Sequence, residues 1–103
     1  MARIYTINEI KEISFPIFKQ YPMIKKAYLF GSYARHETDE QSDLDIIIAL
    51  DSYDTHSKKV AYGVMVDLEE VFSKQIDVIT EENANKIMPK TTNRDKVLIY
   101  EQI

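Results

Sequence analysis

Asp43 and Asp45 stand two residues apart at the head of an apolar run, Asp43-Leu44-Asp45-Ile46-Ile47-Ile48-Ala49-Leu50. Side chains alternate along a strand, so residues i and i+2 share a face. As a strand, this run projects both carboxylates from one face and sends Leu44 and Ile46 to the other. Two like charges that close repel, and a divalent cation between them is the natural remedy. Magnesium suits the pair, because it takes one or two carboxylates and fills its other positions with water and phosphate oxygens. Upstream, Gly31-Ser32 follows a second apolar run, Lys26 to Phe30. Glycine lets the chain turn sharply and lets a phosphate come close, while the following N–H groups and the Ser32 hydroxyl can donate to it. Downstream, Asp77 interrupts Ile76-Asp77-Val78-Ile79. A carboxylate inside an apolar strand needs a partner, a metal or solvent. Three carboxylates can hold one or two Mg²⁺ ions that neutralise a triphosphate during in-line displacement. The third can also take the proton of an incoming hydroxyl.

Each feature has a plainer reading when taken alone. Asp43 can belong to a polar loop and Asp45 to an exposed strand position. Gly31 can simply end a strand, and Asp77 can face water from an edge strand. It is the order of turn, acid pair and third acid that makes them read as one site.

Several elements must position these residues. Thr6-x-x-Glu9 is a capping-box pattern ahead of Ile7, Ile10 and Ile13, which recur as a helical stripe. Pro16 should end that helix near Phe15, or open a new one. Residues 26–30 and 43–50 read as buried strands, joined by an acid-rich polar loop over 36–42. Thr55 or Ser57 is the expected N-cap of an amphipathic helix over about 58–74, marked by Val60, Val64, Leu68, Val71 and Phe72. Residues 75–80 form a third short strand and 81–88 a short helix broken by Pro89. Residues 96–103 make a last apolar element, expected to be helical. The order predicts an α/β or α+β fold with a small mixed β-sheet flanked by helices, one domain over residues 1–103.

Composition removes other chemistries. The 103 residues hold no cysteine, two histidines and two glycines, with 13 basic and 17 acidic side chains and a net charge of −4. Without cysteine there is no disulfide, thiolate zinc site, iron–sulfur cluster or cysteine nucleophile. His36 and His56 are too few for most imidazole metal centres, which leaves oxygen as the metal ligand. The acidic balance argues against direct DNA binding. No apolar run approaches the roughly 20 residues that span a bilayer, and no secretory signal opens the chain, so a cytoplasmic location is expected.

Gly31-Ser32, ten residues, then Asp43-Leu44-Asp45 resembles the Gly-Ser-x10-Asp-x-Asp signature of the polymerase-β-like nucleotidyltransferase superfamily. The fuller strings Leu29-Phe30-Gly31-Ser32-Tyr33-Ala34-Arg35 and Ser42-Asp43-Leu44-Asp45-Ile46 are similar to the minimal nucleotidyltransferase branch, the MntA-type antitoxins. Ile76-Asp77-Val78-Ile79-Thr80 and Val97-Leu98-Ile99-Tyr100 extend the likeness over nearly the whole chain. The resemblance implies that Gly31 and Ser32 bind nucleotide phosphates, with Arg35 placed to reach one. Asp43 and Asp45 would ligate Mg²⁺, and Asp77 would complete the metal site or act as base. It further implies transfer of AMP from ATP to a tyrosine of a HEPN-domain toxin, which the modification silences. Two other functions stay open: a module that neutralises its partner by docking alone, and a nucleotidyltransferase acting on a small molecule. Arg35 can instead pair with Glu37 or Asp39 on the surface, and Tyr33 can stack on a base. Met65 and Met88 read as core filler.

Overall fold

The computed structural model describes residues 5–31, 43–87 and 96–102. In chain order these form α1 (Ile7–Lys19), β1 (Ile24–Phe30), β2 (Leu44–Leu50), α2 (Ser57–Phe72), β3 (Ile76–Thr80), α3 (Glu81–Ile87) and β4 (Val97–Glu101). The four strands make one mixed sheet in the order β3-β2-β1-β4. β1 is antiparallel to both β2 and β4, whereas β2 and β3 are parallel and joined by α2. The expected mixed sheet flanked by helices is therefore present.

α1 starts as its sequence dictates. Thr6 Oγ1 accepts from Glu9 N at 3.0 Å, and the Glu9 carboxylate accepts from Thr6 N at 2.9 Å. Contrary to expectation, the helix does not stop at Phe15 but runs through Pro16 to Lys19. Proline removes the bond to the carbonyl four residues back, here that of Glu12. Glu12 and Pro16 are both exposed, so the interruption lies on the water side, where solvent can take up the freed carbonyl. The opposite stripe of Ile10, Ser14, Ile17 and Phe18 is buried, and that burial outweighs the defect.

One face of the sheet packs against α1 and α2. Ile10 and Phe18 of α1, and Val64, Leu68 and Phe72 of α2, share a core with Leu29, Leu44, Ile46, Ile48 and Ile76 of the strands. Ile47 is out of phase with its neighbours and 1% exposed, yet it belongs to the other face, where α3 touches β2 and β3. Tyr21 closes the base of the helical layer, its hydroxyl donating to Asp67 Oδ2 at 2.7 Å. Gly63 makes this possible, because a β-carbon there would sit 3.0 Å from the Tyr21 hydroxyl. The N-cap of α2 is His56, with no side-chain cap bond, rather than Thr55 or Ser57. Ser57 Oγ instead accepts from Asp54 N at 2.9 Å. Met65 is half-buried, not core, and Met88 lies outside the described residues.

The last element is a strand, not the expected helix. Eight residues are too few to carry helix nucleation alone, and Val97, Ile99 and Tyr100 favour a pleated surface. β1 offers them a ladder, with Ala27 opposite Tyr100 and Tyr28 opposite Leu98. The Tyr100 ring then packs 5.2 Å from Phe18, tying the strand to α1.

Candidate nucleotide and metal site

Asp45 on β2 lies opposite Asp77 on β3, and Leu44 lies opposite Ile76. Leu44 and Ile76 are fully buried on the helical side. Alternation therefore sends Asp43, Asp45 and Asp77 to the other face. Strand spacing sets the backbones of Asp45 and Asp77 about 4.8 Å apart. Phe30 on β1 is the partner of Asp45 on its other side, so one row across the sheet reads Asp77, Asp45, Phe30.

Gly31 follows Phe30 directly and has φ +77°, a left-handed conformation that glycine adopts without strain. Space favours glycine as well: a β-carbon at Gly31 would lie 2.5 Å from Asp45 Oδ2, so the carboxylate would have to move. The turn that ends β1 is thus pressed against the carboxylate that β2 presents.

Asp43 and Asp45 are half-buried, while Asp77 is exposed on the edge strand. The structure thus brings the three acids to one face and aligns two of them. Among the described residues no three acidic or imidazole side chains stand together as a metal-holding group. The donor set nevertheless fits a hard divalent cation, being carboxylate oxygen throughout. Ser32 and Arg35 lie outside the described residues, as do Tyr33 and His36. His56 is solvated as expected, its side chain 78% exposed.

Sequence reasoning passed over three residues of this face. Lys96, just ahead of β4, holds its Nζ 4.3 Å from the centre of the Tyr28 ring and 3.6 Å from Glu81 Oε2. No signal for this exists in a segment read as a helix. Once β4 is a strand antiparallel to β1, the alternation from Leu98 back to Lys96 exposes it.

Comparisons with known proteins identify the family. The polymerase beta nucleotidyltransferase family model matches residues 8–102. The chain belongs to that family, and it is a nucleotidyltransferase. A Methanocaldococcus jannaschii protein with the provisional name of a protein adenylyltransferase is 35% identical over 92 residues, 89% of this chain and 90% of its own. The protein adenylyltransferase MntA of Aphanizomenon flos-aquae is 26% identical over 108 residues, covering 97% of this chain and 72% of its own. Among solved structures, a toxin–antitoxin crystal structure with AMP-PNP superposes with a TM-score of 0.72 at 17% identity, over 95% of this chain and 75% of that one. A tri-AMPylated HEPN toxin in complex with MNT antitoxin from Shewanella oneidensis gives 0.62 at 16%, over 89% and 72%. These likenesses fix the fold as polymerase-β-like. No described helix is long and apolar enough to cross a membrane.

Proposed function

We propose that this chain moves AMP from ATP onto a tyrosine hydroxyl of a HEPN-type toxin and so acts as its antitoxin in the cytoplasm. The observation that carries the reading is the contact of the Gly31 turn with the Asp45 carboxylate, in a row with Asp77. Support for the acceptor comes from the adenylyltransferase names of the relatives and from the AMPylated HEPN complex among the structural neighbours.

The N–H groups of the Gly31-Ser32 turn, with the Ser32 hydroxyl, hold the triphosphate; Arg35 reaches one of its phosphates. Mg²⁺, one or two ions held by Asp43, Asp45 and Asp77, would supply the positive charge that offsets the phosphates. Asp77, open to solvent at the edge of the sheet, accepts the proton of the incoming hydroxyl. The acceptor oxygen bonds to the α-phosphorus, the bond from that phosphorus to the bridging oxygen breaks, and pyrophosphate leaves. The open edge also suits an acceptor as large as a protein.

Incubation with α-labelled ATP, Mg²⁺ and the product of a neighbouring HEPN gene tests this. Label should appear on the partner and vanish when its acceptor tyrosine becomes phenylalanine. A folded, binding partner that stays unlabelled would sink the proposal in favour of neutralisation by docking.

A further inference from the structure

The row of Asp77, Asp45 and Phe30 continues onto the fourth strand. Tyr28 is opposite Leu98 and Leu29 is opposite Val97, so the same register carried one step further sets Lys96 opposite Phe30. Lys96 is two residues before Leu98 and shares its face. The position of its ammonium over the Tyr28 ring, 4.3 Å from the centroid, fits that assignment, since Tyr28 and Phe30 are also two apart. A cation and two carboxylates therefore rise from one row on one face of the sheet.

Two contacts hold the ammonium, the face of the Tyr28 ring and a carboxylate. It pairs with Glu81 Oε2 at 3.6 Å, longer than a good charge-assisted hydrogen bond of about 2.7–2.9 Å. Its side chain is only 22% exposed, and its head lies over the Tyr28 ring beside Glu81. A four-carbon stem lets the head swing without moving the backbone. Two strand spacings, about 10 Å in all, separate Lys96 from Asp45, and a lysine stem and a triphosphate together span that gap.

Resting on the nucleotidyltransferase reading above, we propose that Lys96 is a phosphate-binding residue of this site. Its ammonium exchanges Glu81 for the terminal phosphates of the nucleoside triphosphate and holds them on the β1–β4 side of Asp45. Glu81 and the face of the Tyr28 ring park the ammonium between cycles.

The test is calorimetric binding of α,β-methylene-ATP and of AMP, both with Mg²⁺, to the wild type, Lys96→Met and Glu81→Gln. Lys96→Met should weaken the triphosphate analogue by about tenfold or more, while AMP, which lacks the terminal phosphates, stays within twofold. Glu81→Gln should bind the analogue several-fold more tightly, because its lysine is released. This second variant keeps the proposal exposed should Lys96→Met melt below the assay temperature. Equal binding of the analogue by wild type and Lys96→Met overturns the proposal alone. So does an equal loss for analogue and AMP, which would mark a structural role, and so does a Glu81→Gln that binds the analogue no more tightly. A folded wild type that binds no nucleotide overturns the reading of the site as well.

Discussion

The backbone of Gly31 lies so close to the carboxylate of Asp45 that a single β-carbon would come within 2.5 Å of Oδ2. The turn and the acid are one unit, built from two strands. That closeness sets the first expectation. Gly31→Ala meets an unfavourable φ and a space that Asp45 Oδ2 must vacate, so it should destabilise the fold by about 1–3 kcal/mol. It should also push Asp45 aside and cut AMP transfer by two orders of magnitude or more. Thermal melting and label transfer measure the two effects separately. A variant with wild-type transfer would show that the turn does not serve the chemistry.

Asp77 makes a contrasting case. It is exposed on an edge strand, so Asp77→Asn should leave the melting temperature within a few degrees of wild type. Transfer should nonetheless fall by about 10²–10⁴, the usual worth of a general base. Full activity of the folded variant would remove Asp77 from the mechanism.

Tyr21 gives the fold a dependence on alkaline pH. Burial, then its hydrogen bond to Asp67 and the charge of that residue, push its hydroxyl from the ordinary 10.0 to about 12. The protonated phenol is thus favoured in the native state. Its contribution is complete below about pH 10 and is lost as pH climbs toward 12. Denaturant titrations across that window should show stability falling in the wild type, and the Tyr21 share of the fall should be missing from Tyr21→Phe. At pH 8 the same variant should lose about 1 kcal/mol for the missing bond. Identical pH profiles would refute the assignment.

Pro16 is the opposite case, a residue the helix tolerates rather than uses. Its ring faces water and its missing N–H breaks the ladder of α1 on the exposed side. Pro16→Ala should therefore stabilise the protein by about 1–3 kcal/mol, with transfer unchanged. Chemical denaturation decides it, and a less stable alanine variant would mean that the proline shapes α1 in a way the packing does not reveal.

Much of the fold was legible because local pattern and tertiary outcome agree. The Asp43–Leu50 run announced β2, the stripe from Val60 to Phe72 announced α2, and Asp-x-Asp announced a shared face. The failures have physical causes. Val97 to Tyr100 is a short apolar run whose periodicity cannot separate helix from strand, and only the vacant ladder of β1 decides. Pro16 was read by a local rule that burial of Ile17 and Phe18 overrides. Within the site, the shared face of Asp43 and Asp45 follows from their spacing, and the order of turn, acid pair and third acid is plain in the sequence. Their alignment, and the presence of Lys96 on the same face, depend on pairings between distant segments that no local pattern encodes.

The parallel ladder between β2 and β3 has a consequence for how such a protein can drift in sequence. Asp45 and Asp77 are held level by hydrogen bonds between the strands, not by the 16-residue helix that links them. Insertions or deletions in the turns at either end of α2 should therefore be absorbed as slack, leaving the two acids abreast. A single-residue deletion inside β3 is different. Because alternate side chains face opposite ways, it would rotate the acid into the oil of the helical layer and an isoleucine or valine into the water. Length variation among descendants of this chain should collect in the connectors and stop short at Ile76.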